Sequence, residues 1–286
     1  MILQGQPGLF SYFSTAFFTK DPKDMKKTLF FFITCMIATG ISEKAVAQNG
    51  QGFNRNKVIA HRGAFKKAGH PENSLASLNQ AIALGCEGSE FDVWMTKDGV
   101  LVVNHDADFM GMQIEESTYQ ELLQKQHANG EKIPTAEAYI KEGMKQQHTK
   151  LIFEIKPSKD KARGQELAAK SVALVHKLKA QKWIDYISFD YDICKKVMAL
   201  DPQANVAYLN GNLSPAELKK DSFFGLDYSL KVMKKHPEWI QQAKEEGLTV
   251  NVWTVNKQED MKWLLEQDVD FITTNEPELL FDILKK

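Results

Sequence analysis

Short apolar runs alternate with helical segments over most of the chain, and this alternation restricts the possible folds more than any other feature. Strands that are each followed by a helix join a parallel sheet. Eight such units of this length favour closure of the sheet, so the sequence predicts an α/β protein with a (β/α)8 TIM barrel. The eight predicted strands lie at residues 58–60, 89–93, 151–157, 186–189, 206–209, 226–229, 248–255 and 270–273.

The first 47 residues are predicted to be a leader that precedes the barrel. Two lysines after Met25 are followed by an apolar run, and Ala45-Val46-Ala47 has the small-x-small pattern of a signal-peptide cleavage site. We therefore expect a signal peptide over 25–47, cleavage after Ala47, a possible start at Met25 and a periplasmic or secreted protein. The apolar run is short for a membrane span. We thus expect no stable span in the mature chain, and a retained anchor is the alternative.

Residues 48–286 are predicted to form the catalytic barrel. Removing 47 of the 286 residues leaves 239, close to the ~250 of a typical barrel of this kind. The formal net charge of the chain is −1, which is no electrostatic footprint for nucleic acid, so a small-molecule partner is expected. Cys86 and Cys194 are predicted as free thiols on distant helices, and neither has the spacing of a zinc site.

Histidines and carboxylates are concentrated between residues 58 and 106. His61 and Arg62 follow the first strand, at the edge of the sheet where barrel enzymes have their sites. Glu90 and Asp92 alternate onto one face of the second strand. Two carboxylates that close repel each other unless a cation or a proton lies between them. A divalent metal is the simplest solution, because hard cations bind carboxylate oxygens.

A hairpin is predicted directly after the second strand. Asp98-Gly99 between extended runs is a strong signal for a two-residue turn. Such a turn pairs Lys97 with Val100, and counting back places Asp92 opposite His105. The register thus predicts a single cluster made of His61, Glu90, Asp92 and His105.

The third strand carries a further carboxylate, Glu154, within an apolar run. A buried carboxylate needs a partner, and alternation puts Lys156 on the same face of the strand. Two interpretations stay open here. Glu154 and Lys156 form a structural ion pair, or Glu154 is the third metal ligand and Lys156 is a counter-charge for phosphate.

Several short motifs together resemble the glycerophosphodiester phosphodiesterase family. The match runs from about Val58 to Leu280, and its pieces occur in the family's order. PENS stands where the family usually has PENT, and the family's D-x-T-x-x-R-T-T run after the HD pair is replaced by residues 107–112. The motifs are HRG at 61–63, PENS at 71–74, EFDV at 90–93, TKDG at 96–99, VNHD at 103–106, FEIK at 153–156, SF at 188–189, VWTVN at 252–256 and ITTNEP at 272–277.

The resemblance implies a PLC-like phosphodiesterase barrel, with a β-hairpin and a short insertion after the second strand. It implies metal-dependent hydrolysis of glycerophosphodiesters to an alcohol and glycerol 3-phosphate. His61 and His105 would be general acid and base, in an order that the sequence leaves open. Ca²⁺ or Mg²⁺ would be held by Glu90, Asp92 and Glu154.

The remaining implied roles concern the substrate. Arg62 and Lys156 would bind the phosphate, and Trp253 would form a wall against the substrate. Glu72 and Asn73 would hold the loop or the phosphate. Two alternatives stay open: a phospholipase-like lyase that releases a cyclic phosphate, and a non-catalytic barrel that binds diesters.

Overall fold

The computed structural model describes residues 52–285, so the predicted leader lies outside the described residues. Within them, eight parallel strands close into a barrel, which confirms the predicted fold. A ninth strand extends the sheet as a hairpin arm, and two very short strands form a separate hairpin. The strands are β1 Val58–Ala60, β2 Gly88–Met95, β3 Leu101–Val103, β4 Asp108–Phe109, β5 Met112–Gln113, β6 Lys150–Ile155, β7 Ile184–Ser188, β8 Val206–Tyr208, β9 Gly225–Ser229, β10 Thr249–Trp253 and β11 Phe271–Thr274.

The barrel closes through its first strand. β1 pairs in parallel with both β2 and β11, and the remaining order around the barrel is β6, β7, β8, β9 and β10. In a ring of eight strands, each strand faces the one four places away. Strand β2 therefore faces β9 across the interior, and β6 faces β10.

Helices connect the barrel strands, and seven of the ten described helices begin after a side chain that caps them. The first begins after Ser74, whose hydroxyl accepts from the Ser77 amide, and ends at Gly85 in a left-handed conformation. The fourth begins after Asp160, because the Asp160 carboxylate caps the amides of the first turn. The helices are α1 Leu75–Leu84, α2 Tyr119–Leu122, α3 Ala136–Gly143, α4 Lys161–Leu178, α5 Tyr191–Leu200, α6 Pro215–Lys220, α7 Leu230–Lys235, α8 Glu238–Glu245, α9 Gln258–Glu266 and α10 Pro277–Leu284.

The main core lies between the strands and the surrounding helices. Phe91 stacks on Tyr139 with ring centroids 4.5 Å apart and contacts Phe153 at 4.8 Å. Burial of side chains of this size stabilises the fold by roughly 1.5–3 kcal/mol each. Inside the barrel the apolar filling is smaller and aliphatic, and it contains Ile59, Ile152, Ile187 and Leu209. The alternate residues of the strands are thus divided between two different environments.

The hairpin after β2 forms, but its predicted turn is wrong by one residue. Thr96, rather than Lys97, pairs with Val100, so the turn has three residues and Gly99 adopts φ +81°. Such a loop ends in a left-handed residue that favours glycine. Two hydrogen bonds of the Thr96 hydroxyl stabilise the longer turn. The hydroxyl donates to the Asp98 carboxylate and accepts from the Val100 amide. Asp92 is consequently opposite Asn104, and the backbone amide of Asn104 donates to the carbonyl oxygen of Asp92 at 3.0 Å.

The insertion that follows the hairpin has a small core of its own. The β4–β5 hairpin, a short 3-10 helix and α2 belong to this insertion. The insertion core contains Trp94, Val102, Phe109, Ile114, Leu122 and Ile133.

Two further predictions concern the cysteines and the membrane. Within residues 52–285, Cys86 and Cys194 are free and buried, as predicted. Among the same residues, no helix combines the length and apolar character needed to cross a membrane.

Candidate active site

A cavity opens at the carboxyl end of the barrel strands, where barrel enzymes have their sites. It encloses about 450 Å³, including its open mouth. One side of the lining is charged or imidazole-bearing and the other is largely apolar. The lining residues include His61, Arg62, Glu90, His105, Glu154, Lys156, Ile187, Phe189, Leu209, Asp227, Trp253 and Thr273.

Three carboxylates meet on the charged side. Asp92 and Glu154 are register partners on β2 and β6, and Glu90 is two residues before Asp92 on the same face. Each offers an oxygen within 4.8 Å of the others. All three are nearly inaccessible, with exposed fractions of 3, 1 and 7% for Glu90, Asp92 and Glu154. The predicted carboxylate cluster is therefore brought together.

The protein binds one oxygen of two of these carboxylates and leaves the other free. The Arg62 amide donates to Glu90 Oε2 at 2.8 Å, and Asn73 Nδ2 donates to Asp92 Oδ2 at 2.8 Å. Glu90 Oε1, Asp92 Oδ1 and Glu154 Oε1 have no hydrogen-bond partner. A set of buried, unpaired carboxylate oxygens is suited to a hard divalent cation. The residues therefore fit the metal that the resemblance implies.

Lys156 is the nearest counter-charge to this cluster. Its Nζ lies 2.7 Å from Asp92 Oδ1 and 2.8 Å from Glu154 Oε1. These are ion-pair distances, although the angles are not those of a hydrogen bond. Both interpretations given to Lys156 agree with this position, since the same ammonium reaches the carboxylates and lines the cavity.

Burial and mutual repulsion separate the proton affinities of the three acids. Burial and the neighbouring Asp92 raise the pKa of Glu154 to about 8, and burial with both neighbours raises the pKa of Glu90 well above its usual range. Burial also opposes ionisation of Asp92, but Lys156, His105 and Asn73 outweigh it and lower the pKa of Asp92 to about 2. Without a cation the cluster would thus hold protons at neutral pH.

The loop after β1 has an unusual backbone that positions Arg62. Arg62 has φ +55°, a left-handed conformation that is uncommon outside glycine. At Gly63, with φ +78°, an added Cβ would lie 2.4 Å from the Ser77 hydroxyl. This tight approach lets the Ser77 hydroxyl donate to the Arg62 carbonyl at 3.0 Å. Strain at such a position is typical of functional sites.

Glu72 and Asn73 support this loop rather than facing the cavity. Both carboxylate oxygens of Glu72 accept from Arg62 Nη1 at 3.0 Å. Asn73 is 1% exposed, and besides its bond to Asp92 Oδ2 it accepts from the Asp92 amide at 3.1 Å. Of the two roles expected for these residues, their contacts favour the holding of the loop.

His61 lies in the cavity at the end of β1. Its Nδ1 donates to Asn275 Oδ1 at 2.7 Å, which leaves Nε2 with the free lone pair. Burial and the adjacent Arg62 lower the pKa of His61 to about 4. A neutral imidazole with an unprotonated Nε2 can accept a proton at neutral pH.

His105 reaches the cavity from the end of the hairpin arm. The predicted pairing with Asp92 is wrong, because the three-residue turn moves the register by one. His105 nevertheless lies close enough to lower the pKa of Asp92. Its Nδ1 is 2.7 Å from Asp106 Oδ1, and Trp94 Nε1 donates to its carbonyl oxygen at 3.1 Å.

The apolar side of the cavity is formed by aromatic and aliphatic side chains. Trp253 and Phe189 meet edge to face with centroids 5.5 Å apart. The indole of Trp253 donates to the Asp227 carbonyl oxygen at 2.8 Å, which fixes its orientation. Trp253 therefore lies where the sequence predicts a wall against the substrate.

Four residues near the site were missed by the reasoning from sequence. Asn275 follows β11, at the strand end where His61 follows β1, so the same positional rule could have found it. Asp227 is a carboxylate within an apolar strand, the signal that identified Glu154. Asp106 and Asn251 had no comparable signal.

Comparisons with known proteins agree with this geometry. Residues 61–279 match the model of the glycerophosphoryl diester phosphodiesterase family. A glycerophosphodiester phosphodiesterase of Caldanaerobacter subterraneus subsp. tengcongensis is 28% identical over 248 residues, which cover 80% of this chain and 98% of the relative.

Solved structures give the same result. A glycerophosphodiester phosphodiesterase from Parabacteroides distasonis is 47% identical, with a TM-score of 0.79 over 82% of this chain and 98% of that one. An Oleispira antarctica phosphodiesterase, solved with the product sn-glycerol-3-phosphate, shares the fold at 23% identity and a TM-score of 0.69, over 81% and 97% of the two chains. The family match spans well over half of the sequence. The chain belongs to the glycerophosphoryl diester phosphodiesterase family of enzymes.

Proposed function

We propose that the protein hydrolyses glycerophosphodiesters to an alcohol and glycerol 3-phosphate in a reaction that needs a divalent cation and two histidines. The observation that carries the proposal is the position of His61 and His105 in one cavity with three buried carboxylates. Family membership supports the reaction class. The catalytic roles rest on the contacts of the individual residues.

Glu90, Asp92 and Glu154 would hold the cation, either Ca²⁺ or Mg²⁺. Among the described residues no hydrogen bond satisfies one oxygen of each, although the Lys156 ammonium lies at ion-pair distance from those of Asp92 and Glu154. Oxygen ligands suit both ions. When bound, the cation supplies positive charge that stabilises the phosphoryl group and orients a substrate hydroxyl.

The contacts of the two histidines support His61 as the general base. Its lowered pKa keeps the imidazole neutral, and Asn275 holds the proton on Nδ1. For hydrolysis, Nε2 can then take a proton from a water molecule while the water oxygen bonds to phosphorus. As the other histidine of the cavity, His105 donates a proton to the alcohol oxygen as its bond to phosphorus breaks. Asp106 orients its ring through Nδ1.

The phosphate would lie between Arg62 and Lys156. The guanidinium of Arg62 can present two donors to a pair of phosphate oxygens, and Glu72 limits its movement through the two 3.0 Å contacts. Lys156 adds a second positive charge on the same side of the cavity. Trp253 contacts the carbon skeleton of the substrate from the apolar side.

The proposal is tested with the purified protein and a panel of glycerophosphodiesters that differ in the alcohol, with and without EDTA. We expect the release of glycerol 3-phosphate to depend on the cation, and phosphorus NMR measures this release. A cyclic phosphate as the product would indicate the lyase reaction instead of hydrolysis. Cation binding without turnover of any diester would indicate a binding protein instead.

Export is a separate proposal that rests on the sequence of residues 25–47. The lysines, the apolar run and the Ala45-Val46-Ala47 pattern support a cleaved signal peptide. Cell fractionation and N-terminal sequencing test it: we expect a periplasmic or secreted protein that begins at Gln48. Full-length protein in the cytoplasm would contradict the proposal.

A further inference from the structure

A second group of polar side chains lies inside the barrel, on the wall opposite the carboxylate cluster. Asp227 on β9 is the register partner of Asn251 on β10. Asn251 in turn donates to Thr273 Oγ1 on β11 at 2.8 Å. These three residues, the floor group, come from three adjacent strands and are 2, 6 and 3% exposed. Because β9 faces β2 and β10 faces β6, the floor group and the carboxylate cluster lie on opposite walls.

Asp227 is the unusual member of the floor group. Its neighbours Leu226 and Tyr228 belong to the outer core, so alternation directs Asp227 into the barrel. There it lines the active-site cavity and also a second cavity that Asn251 lines. A hydrogen bond with the Asn251 side chain favours its ionised form, but among the described residues its Oδ1 has no hydrogen-bond partner. A buried polar atom without a partner costs stability, which points to a partner supplied by a ligand.

The surroundings of Asp227 indicate what kind of ligand fits. The Trp253 indole is held by the Asp227 carbonyl, and Phe189 meets its ring from the side. An aromatic surface covers the carbon atoms of a small polyol, while the Asp227 carboxyl and the Thr273 hydroxyl, which both line the cavity, can bind its oxygens. Asn251 supports them, since its amide is hydrogen-bonded to Thr273. No lysine or arginine belongs to the floor group, so it does not form a second phosphate site.

We propose that the floor group, with Asp227 as its principal residue, is the subsite that recognises the hydroxyl groups of the substrate's polyol part. The inference rests on the proposed function for its substrate class. It makes Asp227 a specificity-determining residue that contacts substrate. Burial raises the pKa of Asp227 to about 7, so near neutral pH its carboxyl can donate as well as accept a hydrogen bond.

The test compares two ligands that differ only in their hydroxyl groups. Glycerol 3-phosphate and n-propyl phosphate share the phosphate and the three-carbon chain, and their dissociation constants are measured by calorimetry on the cation-loaded protein. We expect Asp227→Leu to weaken the binding of glycerol 3-phosphate about 10-fold or more, because a buried hydrogen bond to the ligand is lost. Binding of n-propyl phosphate should stay within about twofold.

Two further variants make the result specific. Asp227→Asn keeps hydrogen-bonding capacity, so its loss should be smaller than that of Asp227→Leu, and it replaces that variant if leucine prevents folding. Asp260→Asn is the matched control: this buried carboxylate is paired with Lys234 between helices α7 and α9 and lines neither of the cavities that Asp227 lines. It should change neither dissociation constant.

The outcomes separate this inference from the proposed function. Equal losses for both ligands, or no loss for either, would overturn the inference and leave Asp227 with a structural or water-binding role. If the wild-type protein hydrolyses no glycerophosphodiester but binds glycerol 3-phosphate through Asp227, the proposed function fails and the subsite stands. In a kinetic assay, Asp227→Leu should lower kcat/KM for glycerophosphodiesters.

Discussion

The two walls of the barrel interior both bury carboxylates but stabilise them in different ways. On the β2–β6 wall, Asp92 lies 2.7 Å from the Lys156 ammonium and accepts from Asn73. On the β9–β10 wall, no cation of residues 52–285 lies within ion-pair distance of Asp227, and its Oδ1 has no hydrogen-bond partner among them. The pKa of Asp92 is accordingly lowered to about 2, while burial raises that of Asp227 to about 7.

The difference shows that burial alone does not determine the state of a carboxyl group. Desolvation opposes ionisation in both residues, and the neighbouring charges and hydrogen bonds decide whether the ionised form survives. A wall whose three carboxyl groups can ionise around a bound cation suits phosphoryl transfer. A carboxyl group with a pKa near neutrality can both donate and accept a hydrogen bond, which suits the recognition of hydroxyl groups. The two walls thus supply different halves of one substrate site.

Removal of the cation should have the largest effect, and only on the β2–β6 wall. We expect EDTA to abolish activity and to lower the melting temperature, because a ligand that binds only the folded state stabilises it, by about 2.7 kcal/mol at 100 times Kd. Activity and thermal unfolding are measured before and after dialysis, with Ca²⁺ and Mg²⁺ added back separately. Full activity in protein shown to be metal-free by elemental analysis would contradict the assignment.

Loss of either histidine should follow in size. His61→Ala and His105→Ala should each lower kcat roughly 100-fold or more, the usual scale of acid–base catalysis. Their melting temperatures should change little, because both side chains border the cavity rather than the core. His148→Ala, an exposed histidine outside the cavity, is the control. Near wild-type turnover in one variant would remove that histidine from the mechanism.

Asn275 should have a smaller effect that acts through His61. Asn275→Ala removes the acceptor that holds the proton on Nδ1, so we expect kcat to fall roughly 10-fold, the equivalent of one hydrogen bond, with little change in KM. Asn275→Asp keeps an acceptor at the same position and should restore most of the activity. An equal loss in both variants would indicate that the residue serves only the fold.

The last comparison makes the same substitution on the two walls and follows stability with pH. The unfolded Asp227 carboxyl loses its proton near pH 3.8, whereas the folded one holds it up to about 7. Its contribution to stability is therefore fully present below about pH 4 and is lost as the pH rises through 7, by an amount on the order of 4 kcal/mol at most. Asp227→Asn cannot ionise and escapes this loss.

Denaturant unfolding of the wild type and Asp227→Asn at a series of pH values measures the difference. Between pH 4 and 8, the free energy of unfolding of Asp227→Asn should rise relative to that of the wild type. Asp92→Asn should show no such trend, and should weaken cation binding instead. A gap between wild type and Asp227→Asn that is independent of pH would show that Asp227 ionises normally.

The sequence by itself determined the barrel and most of the catalytic wall. Strand periodicity, the Ser74 cap and the Gly85 stop are local steric and solvation effects, so they could be identified without knowing any distant neighbour. The positions of Glu90, Asp92 and Glu154 on one wall also follow from alternation and the order of strands. The family resemblance added the roles of His61, His105 and Arg62, which remain predictions.

Only the tertiary structure decided the contacts between residues that are far apart. Thr96 side-chain bonds changed the turn by one residue, so His105 reaches the cavity without the predicted pairing. Barrel closure brings Asn275 to His61 across 214 positions, and strand order places Asp227 opposite the carboxylate cluster. Alternation along a strand is a local property, but which walls face each other depends on how all eight strands close.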